Sequence, residues 1–267
     1  MKADEHLENY KKNGYTVFRE IVPLSLLSDL RKETDKARII ARKINGPQAQ
    51  RLQPISNYSE INFKPFDDYH QLPEINELIQ KIFSPEHHYA EKNRIGVLFE
   101  PTDMPYCTFW HRDWRDHMEV EIFNEFFKEE WDKDTTDYHF AGQVNCPLYE
   151  DCCTWYVPGS NFRQKNFKEE EIVRDNYKKL NLGKLNYEER EFTCRKYAES
   201  MPNAVQLFLK PGDFALYQSC GWHLGNYVPY KKRATLHHGI LKGDMTQYYR
   251  DRTEKLERIK NSRKVLA

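Results

Sequence analysis

The sequence predicts one mainly β domain with helices at its flanks. Short strand-like runs recur from Arg94 onward, and turn residues separate them. Short strands at such intervals are typical of an all-β sandwich or barrel. The chain has 267 residues, of which 39% are hydrophobic and 14% aromatic, enough for one buried core. Single barrels and sandwiches commonly reach roughly 200–250 residues, so we expect a single domain over residues 1–267.

Residues 1–93 are predicted to form a helical lead to this core. Gly14 is a typical helix end, and apolar residues return at helical spacing after the strand-like YTVFREIV. The predicted elements are, in order, a helix, a strand, a helix, a long connection without periodicity and a short helix, at residues 6–14, 15–22, 24–44, 44–71 and 73–83. Long connections of this kind often border functional sites.

Residues 94–249 are predicted to form the β core. Its strand-like runs lie at residues 94–101, 106–114, 139–149, 153–159, 204–219 and 233–243. The charged segment 162–202 interrupts them and is interpreted as a helical, solvated insertion that covers the site as a lid. The C-terminal segment 250–264 is predicted to be a solvated helix, because charges interspersed in this way usually face water.

Composition narrows the class of function. Forty-one basic residues balance 41 acidic ones, so the basic footprint of a nucleic-acid-binding protein is absent and a small-molecule partner is expected. The N-terminus has no apolar signal segment, and no apolar run approaches the roughly 18 residues that span a bilayer. Six cysteines without a CxxC pair are expected to be free thiols. These features predict a soluble, cytoplasmic protein without a membrane partner.

The stretch FWHRDW, residues 109–114, places an imidazole and a carboxylate two positions apart among large aromatics. In a strand, His111 and Asp113 would project together while Arg112 points away. Burying the carboxylate would cost several kcal/mol unless a partner or metal offsets that cost. His223, at the end of a predicted strand, is the strongest candidate for a third ligand. Two histidines and a carboxylate form a facial triad that leaves positions open on iron(II).

A second, similar triplet follows at His117 and Glu119. It falls in the polar stretch RDHMEVEIFNEFF, which is interpreted as a loop entering a helix. The pair His111 and Asp113 lies in a strand-like run instead. We therefore favour the first pair, because an isolated motif match often misleads.

Arg233 lies ten residues after His223 and opens a strand-like run. A guanidinium fork binds a carboxylate through two parallel hydrogen bonds, a geometry that lysine does not reproduce. Thr235 would share its face and could donate a hydroxyl to the same carboxylate. The two residues are candidate ligands for the far end of a dicarboxylate. His237, two positions after Thr235, would lie on the same face of the strand, but we favour a role in buried packing for it.

These segments resemble the phytanoyl-CoA dioxygenase family of iron(II)- and 2-oxoglutarate-dependent oxygenases. The resemblance rests on ENYKKNGYTVFREIV, WHRD, TWYVPGSN and PGDFALYQSCGWHLGNYVPYKKR, in the family's order and at similar spacing. It implies a cupin-like double-stranded β-helix, or jelly roll, with iron at its mouth. By resemblance, His111, Asp113 and His223 match the metal ligands, and Arg233 matches the 2-oxoglutarate clamp.

The resemblance implies a dioxygenase that uses molecular oxygen to hydroxylate a small molecule, releasing succinate and CO2. Desaturation, cyclisation and epoxidation share the first steps and stay open. Two departures lie near the expected substrate side: Asn161 stands where the family usually has a histidine after PGS, and the preceding loop is shortened to EDCC. Asn161 and Trp114, an aromatic just beyond Asp113, are candidate substrate-binding residues.

Two other classes of function compete with this interpretation. A non-catalytic, cupin-like binding protein would keep the fold without turnover, and a zinc-dependent hydrolase could use the same triad. Arg233 argues against the hydrolase, since hydrolysis has no use for a dicarboxylate clamp. The complete triad argues against the binding protein.

Overall fold

A computed structural model describes residues 3–83, 87–89, 94–135, 137, 141–242 and 245–266, which fold into two antiparallel sheets with helices around them. The α-helices are α1 (Ala3–Asn13), α2 (Leu24–Asn45), α3 (Lys64–His70), α4 (Pro73–Phe83), α5 (Val120–Phe126), α6 (Lys128–Asp134), α7 (Lys168–Asn176), α8 (Tyr187–Glu199) and α9 (Met245–Leu266). The strands are β1 (Tyr15–Phe18), β2 (Arg51–Leu52), β3 (His87–Tyr89), β4 (Gly96–Phe99), β5 (Tyr106–Cys107), β6 (Ala141–Pro147), β7 (Thr154–Tyr156), β8 (Val205–Gln206), β9 (Phe214–Tyr217), β10 (His223–Tyr227) and β11 (Ala234–Lys242).

The larger sheet has the strand order β1-β9-β6-β11-β4-β2, and β3 also pairs with β11. The smaller sheet has the order β5-β10-β7-β8. Their inner faces touch, because the Asn145 amide donates a hydrogen bond of 3.0 Å to the Thr154 hydroxyl. The Tyr156 and Tyr217 rings also meet across the two sheets, at 6.0 Å between centroids. The space between the sheets is therefore lined with polar and aromatic side chains.

Strand alternation separates this polar interior from the main hydrophobic core. In β6, Val144 and Cys146 point to the core, whereas Asn145 points to the smaller sheet. Helix α2 covers the core side with a buried stripe that includes Leu27 and Leu30. A buried leucine of this kind contributes about 1.5–3 kcal/mol to stability. The apolar layer fixes the larger sheet, and the sheet holds the polar interior in place.

The segment 162–202 contains α7 and α8, as the helical prediction requires, but it is not merely solvated. Tyr197 of α8 is buried in a cluster with Trp110 and Trp222. Glu170 of α7 is buried and accepts the indole N–H of Trp222 at 2.9 Å. The segment is therefore part of the core as well as a cover over it.

Several other predicted elements differ from the structure. The connection 44–71 contains β2 and α3, and β2 escaped the sequence analysis because a two-residue strand shows no periodicity. The predicted run 204–219 divides into β8 and β9 at a turn where Gly212 has φ +84°. Strand β9 ends at Tyr217, and His223 begins the separate strand β10 instead of ending the predicted one. The C-terminal helix begins at Met245, earlier than predicted.

Parts of some predictions lie outside the described residues. They are residues 1–2, 84–86 and 90–93 of the predicted helical lead and residues 136, 138–140 and 243–244 of the predicted β core. All six cysteines are free thiols, as expected. In the part of the chain that the structure describes, no helix is both long and apolar enough to cross a bilayer.

Gly14 provides a test of the junction between α1 and β1. It has φ +76°, and a Cβ added there would collide with the Asn161 side chain and lie 2.7 Å from the Tyr156 hydroxyl. We predict that Gly14→Ala destabilises the protein by roughly 2–5 kcal/mol, from backbone strain plus overpacking. Gly183→Ala is the control, because a Cβ there meets nothing within 4 Å and φ is not positive. Urea unfolding measures both, and equal midpoints would contradict the prediction.

Candidate metal centre

His111 and His223 lie directly opposite each other on antiparallel backbone. The N–H of each donates to the carbonyl of the other, at 3.1 and 3.0 Å. Their rings therefore project together, with 4.2 Å between centroids. The strand expected over residues 106–114 extends only through Tyr106–Cys107, and His111 joins the sheet as an isolated bridge.

Asp113 comes from a turn, not from the predicted strand. Its N–H donates to the Ser219 carbonyl at 2.8 Å, and the Asp116 N–H donates to the Arg112 carbonyl at 3.1 Å. Trp114 takes the left-handed conformation with φ +51°, uncommon for a bulky residue. The turn still brings the carboxylate to the imidazoles: Asp113 Oδ1 lies 3.6 Å from His111 Nε2 and 3.7 Å from His223 Nε2.

The backbone selects the tautomer of both histidines. His111 Nδ1 lies 2.9 Å from the Phe109 carbonyl, and His223 Nδ1 lies 2.9 Å from the Gly221 carbonyl. Because a carbonyl oxygen only accepts, each Nδ1 carries the proton and each Nε2 presents a lone pair. Metal-binding histidines are usually fixed in this way. The three side chains offer ligand atoms within 4.8 Å of one another, close enough for one metal ion to lie between them.

Charge states also suit a cation. Burial, and after it the neighbouring His223, lowers the pKa of His111 to about 3. Burial alone would raise the pKa of Asp113, but the imidazoles of His223 and His111 hold it below its usual value. Two imidazole nitrogens and one carboxylate form a donor set for a divalent transition metal, and His111 and Asp113 need no proton loss near neutral pH to take part in it.

Arg112, between the two ligands in sequence, points away from them as predicted and is fully buried. Its guanidinium donates to the carbonyls of Cys220, Ser160 and Arg163 at 2.6, 2.9 and 2.7 Å. It also lies 4.6 Å from the centre of the Trp131 ring. Arg112 thus connects the turn at residues 112–116, called the ligand turn below, to the loop before β10 and to the start of segment 162–202.

His117 lies nearer to the centre than the sequence analysis expected. The polar stretch is a loop leading into α5, as predicted, but His117 Nε2 lies 3.9 Å from Asp113 Oδ1. Its side chain is 55% exposed, so it stands at the rim of the site. Glu119 is exposed and immediately precedes α5. The second triplet therefore places one imidazole, that of His117, next to the centre. It does not form a second metal-binding cluster among the described residues.

Arg233 and Thr235 come together as predicted, but around a carboxylate of the protein itself. Asp151 Oδ2 accepts from Arg233 Nε at 2.7 Å and from the Thr235 hydroxyl at 2.5 Å. Asp151 Oδ1 accepts the Cys153 N–H at 2.8 Å. Burial opposes the charge of Asp151, yet chiefly Arg233 holds its pKa below the usual value. Thr235 therefore donates to Asp151, not to an open position as expected.

Asp151 was not predicted from the sequence. The available signal was the segment EDCC, which shortens the loop before TWYVPGSN, but nothing in one sequence showed that its aspartate turns inward. The backbone of Asp151 is fixed by two hydrogen bonds with Leu209, of 3.0 and 2.9 Å. Its carboxylate is therefore held in place beside Arg233.

His237 is buried, as expected, and belongs to a polar row in the interior. Its Nδ1 lies 2.9 Å from Asn145 Oδ1, and its Nε2 lies 2.8 Å from Gln143 Nε2. Burial first, and then the positive charge of Arg51, lowers the pKa of His237 to about 3. This imidazole is accordingly neutral in the folded protein near neutral pH.

Neither predicted substrate-binding residue reaches an open surface. Asn161 is fully buried, and its amide donates to the Gln218 side chain at 2.6 Å. Trp114 packs against Trp131 at 5.2 Å, and Arg252 covers its ring at 4.0 Å. The left-handed turn after Asp113 directs Trp114 into this cluster. Both residues are therefore packing residues in the structure.

A cavity of about 460 Å³ lies between the ligand turn, α5 and α7. Phe109 lines it, and the Phe109 ring lies 5.1 Å from the His111 ring. This cavity was not predicted from the sequence, because its walls come from segments distant in sequence. Segment 162–202, predicted as a lid, supplies one wall through α7.

No family model matches the sequence, and no curated protein matches it. Solved structures share its fold. AviO1 from Streptomyces viridochromogenes Tue57 is 11% identical over 90% of this chain and 95% of that chain, with a TM-score of 0.58. HygX from Streptomyces hygroscopicus, solved with nickel and 2-oxoglutarate bound, is 13% identical over 89% and 86%, with a TM-score of 0.55.

SnoN is a non-heme alpha ketoglutarate dependent epimerase from nogalamycin biosynthesis. It is 12% identical over 90% of this chain and 80% of that chain, with a TM-score of 0.56. It has also been solved in complex with Fe3+, alpha ketoglutarate and nogalamycin RO. At these identities the likeness establishes a shared fold.

Asp113→Gly tests the placement of the centre. Two imidazoles alone hold iron(II) less firmly and in a less defined geometry, so the affinity for iron(II) should fall by at least about tenfold. Glu119→Gln is the matched control, because that exposed carboxylate precedes α5 and lies outside the triad. Iron bound after dialysis measures both. Retained iron in the first variant and lost iron in the second would place the centre on the wrong triplet.

His237 predicts a dependence of stability on pH. Because its pKa is about 3 in the folded protein and about 6.5 when unfolded, the unfolded state gains a proton first as the pH falls. Its contribution to stability is intact above pH ~6.5 and is lost below it, at up to about 1.4 kcal/mol per pH unit. His237→Asn cannot titrate, so its unfolding free energy should change less between pH 7.5 and 5. Identical slopes in urea unfolding would refute this assignment.

Proposed function

We propose that this protein is an iron(II)- and 2-oxoglutarate-dependent dioxygenase of the phytanoyl-CoA dioxygenase type, with a jelly-roll core, and that it hydroxylates a small molecule. The observation that carries the proposal is the convergence of two backbone-fixed imidazoles and one carboxylate on a single point. The shared fold with HygX and SnoN supports iron and 2-oxoglutarate as the metal and cosubstrate.

His111, Asp113 and His223 would hold the metal, leaving positions open for the cosubstrate and oxygen. Iron(II) with 2-oxoglutarate supplies the activation of molecular oxygen, with release of succinate and CO2. The chain orients both imidazoles through carbonyls and brings the carboxylate in through the turn at Ser219. His117 stands at the rim, where it can hydrogen-bond a ligand that approaches Asp113.

Arg233 would bind the far carboxylate of 2-oxoglutarate with its terminal nitrogens. Its Nε is held by Asp151, and Asp151 is in turn held by Thr235 and the Cys153 N–H. This chain of contacts fixes the plane of the guanidinium, so less conformational freedom is lost on binding. Asp151 also offsets the charge of Arg233, so the clamp works mainly through directed hydrogen bonds.

The ion pair between Asp151 and Arg233 also favours a second candidate function, that of a metal-binding protein without 2-oxoglutarate turnover. A buried arginine that already has a carboxylate partner needs no dicarboxylate ligand to be stable. Zinc could occupy the same donor set in such a protein.

An anaerobic titration separates the two functions. Iron(II) plus 2-oxoglutarate should give a weak visible charge-transfer band, which zinc cannot give, and the band should disappear in Asp113→Gly. Admission of oxygen should then release succinate. Firm iron binding without the band, and without succinate, would favour the second candidate.

Arg233→Lys keeps the charge but loses the planar fork. We predict that the dissociation constant for 2-oxoglutarate, measured anaerobically with iron(II), rises by about tenfold, while the affinity for iron changes little. Arg258→Lys is the control, because Arg258 is an exposed residue of α9. Unchanged 2-oxoglutarate affinity in Arg233→Lys would mean that another side chain binds the far carboxylate.

A further inference from the structure

The cavity beside the ligand turn combines an apolar wall with charged groups. Phe109, Phe123 and Met118 supply apolar surface, and Phe109 separates the cavity from His111 by a single ring contact of 5.1 Å. Its volume of about 460 Å³ lies within the range of small-molecule pockets, roughly 300–1,000 Å³. A molecule in this cavity would therefore lie one aromatic ring from the metal centre.

The carboxylates that line the cavity already have hydrogen-bond donors. Asp116 accepts the Arg112 N–H at 2.8 Å and Arg174 Nη1 at 3.5 Å. Glu171 accepts the Asn166 amide at 3.2 Å. The remaining one, Asp175, accepts Arg174 Nε at 2.9 Å. These groups have little need of a cationic ligand.

Arg115 differs from these three carboxylates. Its side chain is only 15% exposed, and its Nη1 is buried without a hydrogen-bond partner among the described residues. The nearest carboxylates, Asp116 and Glu171, lie 3.9 Å from its nitrogens, beyond hydrogen-bonding distance. A buried donor left unsatisfied costs about 1–3 kcal/mol, more when it is charged. One donor of Arg115, a residue that lines the cavity, is therefore left unsatisfied.

We propose that this cavity is the substrate site and that the substrate carries an anionic group, a carboxylate or a phosphate, which Arg115 binds. The inference rests on the proposed function of the metal centre, and it names the class of substrate. An apolar part of the substrate packs on Phe109, toward His111, while the anion lies at Arg115. Lys178, an exposed cation on the cavity wall, adds to the attraction.

The packing of Arg115 supports a binding role over a purely structural one. Its guanidinium lies 5.3 Å from the centre of the Phe123 ring, which holds the fork in place without using its hydrogen bonds. A fixed guanidinium with an unsatisfied donor is suited to recognising carboxylate or phosphate. The sequence also links the two sites, because Arg115 follows Asp113 by two residues.

Three probes of one shape test the charge preference: 3-phenylpropionate, 3-phenylpropanamide and 3-phenylpropylamine. Ligand-observed NMR titrations of the full-length chain give a dissociation constant for each. The wild type should bind the carboxylate at least about tenfold more tightly than the amide or the amine. Arg115→Gln should lose this preference, and Arg115→Lys should keep part of it. Arg258→Gln, the same change at an exposed site, should behave as wild type.

Thermal unfolding shows whether Arg115→Gln is folded, and Arg115→Lys provides the second test if it is not. The inference is overturned if the amide or amine binds as well as the carboxylate, if Arg115→Gln keeps the wild-type preference, or if no probe binds at millimolar concentration. The anaerobic titration separates this result from the function itself. A charge-transfer band without the carboxylate preference overturns the substrate class alone. If both the band and the preference are absent, the substrate class and the proposed function are both overturned.

Discussion

The candidate metal centre depends on one buried cation, Arg112. A charged side chain this deep is stable only when its donors are satisfied, and its acceptors come from two segments that are distant in sequence, residue 220 and residues 160–166. The Cys220 carbonyl belongs to the loop that leads to His223, and Ser160 belongs to the turn after β7. Because Arg112 lies between two candidate ligands in sequence, the same interaction that satisfies the guanidinium sets the position of both neighbours.

The interior is polar where an ordinary sandwich would be apolar. Asp151 with Arg233, and His237 with Asn145, are buried groups whose desolvation is offset by directed hydrogen bonds. Pairs of this kind add little net stability compared with apolar packing. Stability comes instead from the helical layer on the outer face of the larger sheet, which leaves the inner face free for chemistry.

The site residues that could be predicted from the sequence are those that local spacing along the chain reveals. The His-x-Asp pair, His223 and Arg233 were predicted as site residues because each lies at a characteristic position along a strand-like run. The structure brings His111, Asp113 and His223 together. The conformation around Asp113 was not predictable, since a strand and a turn both place alternate residues near one another. The inward position of Asp151 and the cavity were not predicted, because both depend on contacts between distant segments. Such contacts leave no periodic pattern in the sequence.

The cross-strand pairing of His111 with His223 has a consequence for how the chain can vary in length. Each imidazole occupies its place through a mutual pair of backbone hydrogen bonds, and side chains alternate faces with a period of two. A single inserted or deleted residue between Thr108 and His111, or between His223 and Gly225, would turn a ligand outward. Insertions in the loops around residues 178–186 would leave the pairing untouched. Length changes should therefore be tolerated in the loops of segment 162–202 and rejected at the two ligand-bearing stretches.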